Sequence, residues 1–420
     1  MKGIGEMNNM EEWKKIKISD IGRIVTGKTP RTSIKENYGG YIPFLTPSDD
    51  LSNKFAPITN KVLTDKGLME VRNCLLPENS ICVSCIGSDL GKVVMLKKPT
   101  VTNQQFNSII PNENYSPDFV YYLMIIVGKR LNFLSKTSTA VPIINKSTFS
   151  NFEVEVPSSL RNQTQIAKIL SSLDDKIELN NRINANLEEQ AQTLFHRWFV
   201  DFEFPNEQGL PYKSNDGAFV ESELGRIPKG WISGKFTDIA NIQGGGTPQT
   251  KNKKFWNGNI PFFTPKDVPN VCFTLFTEKQ ITEEGLKNCN SKFYPKYTIF
   301  ITARGTVGKV VIAGQNMAMN QSCYALVGKD DNIQYFVYYY TKELIYLLRN
   351  KASGAVFDAI TTRDFDSDNV VIPPKGIIIK FQNNIKPLMA LILNNCKENQ
   401  GLIQLRDTIL PRLMNNQIKI

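Results

Sequence analysis

A single histidine, His196, occurs in 420 residues. That scarcity narrows whole classes of chemistry, because no His-based triad or zinc set is available without that one residue. His196 itself sits in Gln192-Thr-Leu-Phe-His-Arg-Trp198 and is expected on a helix face. Long apolar runs are also missing. No stretch approaches the ~20 residues that a membrane-spanning helix needs. The opening MKGIGEMNNMEEWKK reaches charge and Trp13 without an apolar core, so no secretory signal is expected. Cysteine is sparse and odd in number, seven residues scattered along the chain, which suits free thiols in a reducing cytoplasm rather than a disulfide framework. Cys82-Val-Ser-Cys85 has redox-like spacing, but it lies in an expected strand and no second pair is near. The two are read as small core residues.

Against those absences stands a basic balance. Lys and Arg number 50 against 40 Asp and Glu, a net charge of +10, and such a surface favours polyanionic partners because neutralising phosphates releases counterions. Hydrophobic residues at 41% and aromatics at 10% exclude a disordered chain. At ~150 residues per domain the length allows two or three domains with their own cores.

The chain nearly superimposes on itself. Trp13, Asp20 and Ile21 correspond to Trp231, Asp238 and Ile239, and Gly27-Lys-Thr-Pro30 to Gly245-Gly-Thr-Pro248, a shift of 218. Ile42-Pro-Phe-Leu-Thr-Pro47 falls on Ile260-Pro-Phe-Phe-Thr-Pro265 by the same shift. After a slip of one, Gly91-Lys-Val-Val94 matches Gly308-Lys-Val-Val311, Asn103-Gln104 matches Asn320-Gln321, and Phe119-Val-Tyr-Tyr122 matches Phe336-Val-Tyr-Tyr339. Copies this long are too large for solenoid units, so each is a domain with an appended element. Short β-like runs with turn chemistry fill the first part of each copy: KIKISDIGRIVTG, NSICVSCIG and KVVML, then YTIFITARG and KVVIAG. One helical pattern interrupts them, DFVYYLMIIVGKRLNFL and QYFVYYYTKELIYLLRN. This is an α+β domain.

After Val156-Pro157 about forty residues follow without Gly or Pro, a long helix. Ile166, Leu170, Leu173, Ile177, Asn180, Asn184, Leu187, Ala191, Leu194 and Trp198 alternate steps of four and three, the seam of a coiled coil. In the second copy Phe381, Ile385, Leu388, Ile392, Asn395, Asn399, Leu402, Arg406, Ile409 and Leu413 repeat those steps at a shift of 215. Asn falls on Asn twice, and polar seam residues fix register. Gly401 and Pro411 interrupt the second pattern, and Arg406 sits on its seam. Each helix would be roughly 60 Å long, a spacer rather than a core. The Pro-, Gly- and Asn-rich stretch between the copies reads as a linker.

These features together resemble the specificity subunits of type I restriction-modification enzymes over essentially the whole chain. Trp198-Phe-Val-Asp-Phe202, Gly209 and Glu223-Leu-Gly-Arg-Ile-Pro-Lys-Gly-Trp231 are similar to that family's central region, and QIAKILSSLDDKIELNN to its first helical region. The expected fold is α+β, with two tandem-duplicated target-recognition domains separated by two long antiparallel coiled-coil helices. The expected boundaries are 1–158 and 229–374 for the recognition domains, 159–201 and 375–420 for the helices, and 202–228 for the linker. The resemblance implies a non-catalytic reader of double-stranded DNA. It would recruit two methyltransferase subunits, which methylate adenine, and restriction subunits that translocate. S-adenosylmethionine, ATP and Mg would belong to those partners, and no cofactor or metal to this chain. Antiparallel pairing would relate the two domains by a pseudo-two-fold axis and present them to inverted half-sites. Copies that differ in their loops would read an asymmetric split site, with helix length setting the spacer. The outward helix faces 160–200 and 376–420, with the linker, are where methyltransferase subunits would dock, although Lys176, Glu178 and Arg182 equally suit a solvated face.

Four loop clusters are candidates for DNA contact. Around Thr29-Pro-Arg31 and Thr247-Pro-Gln249, the cations Lys28, Arg31 and Lys251 suit phosphates and Gln249 suits an adenine edge, the alternative being an ordinary surface turn. After Thr46-Pro47 and Thr264-Pro265, Ser48 and Lys266 vary, so Thr-Pro reads as framework and its neighbour as the reader. The glycine loops Gly87-Ser-Asp-Leu-Gly-Lys92 and Arg304-Gly-Thr-Val-Gly-Lys309 lack the spacing and the following Ser or Thr of an ATP-binding loop. Their backbone, with Lys92, Arg304 and Lys309, suits close approach to DNA, or else is a tight hairpin whose glycines supply positive φ. Asn103-Gln104 and Asn320-Gln321 suit adenine, or serve as a local hydrogen-bonding device.

Catalytic signatures are missing. The Pro-Pro step Ile372-Pro-Pro-Lys375 is not the Asp/Asn-Pro-Pro-aromatic tetrapeptide of an adenine methyltransferase, and Pro117-Asp118 has no Glu-x-Lys downstream for a nuclease. The alternative reading is a scaffold or anti-restriction protein that titrates the partner subunits without reading DNA.

Overall fold

A computed structural model of the chain describes residues 13–56, 58–87, 89–135, 143–330, 333–351, 359–367 and 369–418. Its long helices are α1 (Pro117–Ser135), α2 (Leu160–Phe199), α3 (Gln334–Lys351) and α4 (Lys375–Met414). Two compact units emerge: unit 1 comprises residues 1–177 and 401–420, and unit 2 residues 178–400.

In unit 1 an antiparallel sheet runs in the order Gly22–Thr26, Phe106–Pro111, Ile81–Ser84, Val93–Met95. A second sheet runs Lys61–Leu63, Tyr38–Leu45, Thr100–Thr102, Leu75–Leu76. The strand Ile81–Ser84 is buried on both faces. Its two-residue period sends Ile81 and Val83 into the core under α1 and Cys82 into the core shared with Leu45 and Leu76. Helix α1 is apolar around most of its circumference because the sheet covers one side and the ends of α2 and α4 the other. Phe119, Val120, Tyr122 and Met124 are fully buried, in one cluster with Ile166, Leu170, Leu410 and Leu413. Full burial of such a side chain contributes about 1.5–3 kcal/mol.

Unit 2 repeats the plan. Its main sheet runs Ala240–Gly244, Cys323–Gly328, Ile299–Thr302, Val310–Ala313, Phe273–Thr274. The smaller sheet runs Lys279–Ile281, Trp256–Phe263, Ala318–Met319. Even the irregularities recur: Tyr38 and Ile42 share Leu63 as partner, and Trp256 and Ile260 share Ile281. The bulge requires positive φ, supplied by Gly39 at 87° and by Asn257 at 61°.

Three expectations change. KIKISDIGRIVTG is not one strand: a helical turn at Ile18–Ile21 breaks it, held by Lys17 N–H donating to Asp20 at 2.9 Å, as Lys235 N–H donates to Asp238 at 2.7 Å. Segment 202–228, expected as a linker, is folded. Phe219–Ser222 and Gly225–Pro228 form a hairpin, and the Phe204 ring stacks on Tyr212 at 4.5 Å and meets Trp231 at 5.0 Å. Turn residues dominate its composition because they shape a compact loop around those rings. Finally, the second long helix, expected over 375–420, runs through Gly401 and Pro411 but ends at Met414.

The helix seam is antiparallel within each unit. In unit 2, Asn180 Nδ2 donates to Asn399 Oδ1 and Asn395 Nδ2 to Asn184 Oδ1, both at 2.8 Å, while Asn399 Nδ2 reaches Asn181 at 2.9 Å. Since Asn180 corresponds to Asn395 and Asn184 to Asn399, each of the first two bonds maps onto the other when the copies are exchanged. That is the signature of a local pseudo-two-fold. In unit 1, Arg406 reaches Asp174 at 2.7 Å, and Asp174 also accepts from Tyr122 O–H at 2.6 Å. Ile177, Asn180, Asn184, Ile392, Asn395 and Asn399 are buried. Leu173, Leu187, Leu388 and Leu402, expected on the seam, are only half-buried, and Asp174 and Met389 take the buried place beside Leu173 and Leu388. A straight helix drifts about 20° per heptad from a 3.5-residue repeat, so over ten turns the buried stripe steps to the adjacent residue.

Candidate nucleic-acid interface

The four loop clusters converge in each unit on one turn. In unit 1 that turn is Asn103–Gln105, between the strand Thr100–Thr102 of the second sheet and Phe106–Pro111 of the first. Lys28 N–H donates to Thr102 O at 2.9 Å, Asn103 N–H to Leu45 O at 3.1 Å, and Cys85 N–H to Gln105 O at 2.7 Å. These bonds stitch the Thr29-Pro30 turn, the Thr46-Pro47 corner and the glycine loop to a common hub. Unit 2 repeats the pattern through Asn320 N–H to Phe263 O at 2.9 Å and Ala303 N–H to Ser322 O at 2.8 Å. Thr29 donates to Gln104 Oε1 at 2.6 Å, and Thr247 donates to Gln321 Oε1.

Glycine makes the closest approach possible. A Cβ on Gly27 would lie 2.1 Å from Asn103 O, and one on Gly245 2.1 Å from Asn320 O. The recurring Asn side chains serve the turn itself: Asn103 is buried and brackets Gln105, and Asn320 Oδ1 accepts from Ser322 N–H at 3.1 Å. Thr46 and Thr264 are likewise framework. Asp49 accepts from Thr46 N–H at 2.7 Å and Asp267 from Thr264 N–H at 2.8 Å, and each carboxylate's second oxygen reaches across to residue Asn60 or Glu278.

Around these hubs lie the loop tips. Lys28, Arg31, Ser48, Lys92 and Gln104 are exposed in unit 1, as are Gln249, Lys251, Lys266, Arg304, Lys309 and Gln321 in unit 2, with Thr29, Thr247 and Asn320 half-buried. Unit 1 ties two of its cations to acids. Arg31 grips Glu70 through Nε at 3.1 Å and Nη2 at 2.9 Å, and Lys92 meets Asp89 at 2.7 Å. The bonds from Arg31 hold the Glu70 carboxyl down at about 2. Unit 2 has Gln249 in place of Arg31 and Thr306 in place of Asp89, and adds Lys266 and Arg304, so its rim carries more exposed positive charge. The paired, polar-tipped face of unit 1 and the cationic face of unit 2 are each chemically suited to a different stretch of a polyanion. Ser88 of the first glycine loop lies outside the described residues.

A family model described as the type I restriction-modification DNA specificity domain matches residues 10–189 and 228–400. The chain belongs to that family. It is 30% identical over 423 residues to the type I restriction enzyme MjaIX specificity subunit of Methanocaldococcus jannaschii, covering 98% of this chain and 94% of that protein. It is 26% identical to the HindI specificity subunit of Haemophilus influenzae, covering 97% and 100%. The S subunit of a type I system from M. genitalium shares the fold, with a TM-score of 0.53 at 16% identity over 97% of both chains.

Among the described residues no group of three His, Cys, Asp or Glu is placed to hold a metal ion, and no helix is long and apolar enough to cross a membrane. His196 is half exposed, with Nδ1 3.3 Å from Asp201. Cys82 and Cys85 are buried, and burial raises their thiols to about 12 and about 11, so neither is a poised nucleophile. Sequence reasoning missed Glu70, Asp49 and Asp267. Recurrence of Asp at a shift of 218 was a usable signal for the last two; Glu70 has no such signal, because Arg31 does not recur.

Proposed function

We propose that this chain is the DNA-specificity subunit of a type I restriction-modification complex and is itself non-catalytic. Each unit reads one half of a split, asymmetric duplex site, the paired helices set the non-specific spacer, and their outward faces dock two methyltransferase subunits. S-adenosylmethionine, ATP and Mg act on those partners and on the restriction subunits, in the cytoplasm. The observation that carries this reading is the pair of equivalent hubs with unlike tips: Arg31 against Gln249, Ser48 against Lys266, Asp89 against Thr306, Gln105 against Ser322. A shared framework fixes where loops meet a duplex, and differing side chains at its tips read different base edges. The net charge of +10 supports backbone binding.

Methylation mapping tests it. A methyl-free host expressing this chain with its cognate methyltransferase subunit acquires methylated adenines in one split, asymmetric motif, and a host with the methyltransferase subunit alone does not. Unchanged methylation despite a stable complex would refute the proposal and favour a titrating scaffold.

A further inference from the structure

The two glycine loops are held from outside by side chains that the repeat does not preserve. In unit 2, Thr302 closes the base of the loop: Gly308 N–H donates to its carbonyl at 2.8 Å and Lys309 N–H to its hydroxyl at 3.0 Å. The apex is held from α3, where Arg349 Nη2 donates to Val307 O. In unit 1, Asn132 Nδ2 on α1 donates to Leu90 O at 2.7 Å. Asn132 and Arg349 correspond at a shift of 217, and so do Leu90 and Val307. The same bond, to the carbonyl just before the second glycine, is therefore made by two unlike residues.

Their difference in length has a visible cause one helical turn earlier. Gly91 lies against Gly128, and a Cβ on either would come 2.2 or 2.1 Å from the other's carbonyl oxygen, so loop and helix backbones touch and a short Asn reaches. At the matching position unit 2 has Ile345, whose Cγ2 would lie 2.8 Å from a Cβ on Gly308. That side chain holds the loop further from the helix axis, and a longer donor is needed to span the gap. Each pair, Gly128 with Asn132 and Ile345 with Arg349, thus solves the same geometric problem at a different loop height.

We propose that Asn132 and Arg349 are positioning residues, each fixing the path of its own unit's glycine loop and so governing base discrimination in one half-site only. This rests on the specificity reading above. Loss of the bond frees the apex that carries Asp89 and Lys92 in unit 1, or Thr306 and Lys309 in unit 2, and leaves the opposite half-site alone.

The test uses the full chain assembled with its cognate methyltransferase subunits, comparing wild type, Arg349→Ala, Arg349→Lys and Asn132→Ala by methylation mapping, salt-dependent DNA binding and melting temperature. Arg349→Ala relaxes discrimination in one half-site on the order of tenfold, and Asn132→Ala does so in the other half. Arg349→Lys keeps an N–H donor of nearly the same reach and restores discrimination, while Arg349→Ala leaves the salt slope of wild type. Four results overturn the inference. Both half-sites staying sharp in the alanine variants removes the positioning role. A salt slope reduced by about one in Arg349→Ala, and kept in Arg349→Lys, makes Arg349 a phosphate contact instead. Loss of both half-sites together, tracking a lowered melting temperature, makes the role one of stability. No motif from wild type overturns the specificity reading itself, and this inference with it.

Discussion

Arg406→Ala isolates a buried carboxylate, and its cost can be worked from the contacts around it. Asp174 is 8% exposed and has two partners, Tyr122 O–H at 2.6 Å and Arg406 Nη1 at 2.7 Å. Removing the guanidinium leaves the carboxylate out of water with the phenol alone. Breaking a buried ion pair from one side costs about 3–5 kcal/mol, and the partial exposure of Arg406 points to the lower end, about 3 kcal/mol. For a unit of this size ~2–4 °C accompanies each kcal/mol, so the unit 1 transition drops by roughly 6–12 °C. The reverse single change, Asp174→Met, is milder, because Asp407 still accepts from Arg406 Nε at 3.1 Å and Nη2 at 3.0 Å.

Unit 2 supplies the decisive variant. At the positions matching Asp174 and Arg406 it carries Met389 and Ala191, both fully buried, and Tyr339 O–H, the counterpart of Tyr122, points at Met389 Sδ from 3.5 Å. The pseudo-symmetric site is thus already solved with apolar packing. Replacing a buried ion pair by well-packed apolar residues is often neutral or stabilising. The double variant Asp174→Met, Arg406→Ala is therefore expected within about 1 kcal/mol of wild type. Calorimetry of the full chain reads both transitions. A double variant melting as low as Arg406→Ala would refute the argument, because the penalty would then come from lost Arg406 packing rather than from a stranded charge.

Two further perturbations address the loop framework. The Arg31 clamp depresses the Glu70 carboxyl from 4.5 to about 2, so its contribution is complete above pH 4.5 and is lost as pH falls toward 2. Wild type should lose its stability advantage over Glu70→Gln across that window in acid titrations, and parallel acid limbs would count against the clamp. Gly245→Ala places a Cβ 2.1 Å from Asn320 O, whereas the neighbouring Gly244→Ala meets nothing within 4 Å. The first is expected to destabilise unit 2 by about 1–3 kcal/mol and the second by under ~0.5 kcal/mol in denaturant melts. Equal effects would mean that the turn does not need the close approach.

Much of the architecture was legible because duplication writes it twice. The matched Asn180/Asn395 and Asn184/Asn399 pairs identified the helix seam, and alternating strands with a following apolar helix gave the α+β class. The clusters around Thr29, Ser48, Gly87 and Asn103 were found as separate motifs, yet nothing in their spacing foretold one hub. Their union depends on backbone bonds such as Asn103 N–H to Leu45 O and Cys85 N–H to Gln105 O, which join strand ends far apart in the chain and involve no particular side chain. The folded state of residues 202–228 was hidden for a related reason: Pro, Gly and Asn build tight turns as readily as open linkers, and only the distant Trp231 ring reveals which.

Recurrence between copies also misleads in one direction. A residue that repeats, such as Asp49 with Asp267 or Thr29 with Thr247, proves to be framework, bonded to a neighbouring loop in both units. The converse fails. Asn132 and Arg349 differ, as do Tyr122–Asp174 and Tyr339–Met389 in their acceptors, yet each pair performs one task on opposite copies. What the duplication conserves is the bond or the filled volume, and the side chain is free to change whenever a neighbour such as Gly128 or Ile345 alters the distance to be spanned. Base-reading residues must therefore be sought among tips that differ and are exposed, such as Ser48 and Lys266, and not simply among positions that differ.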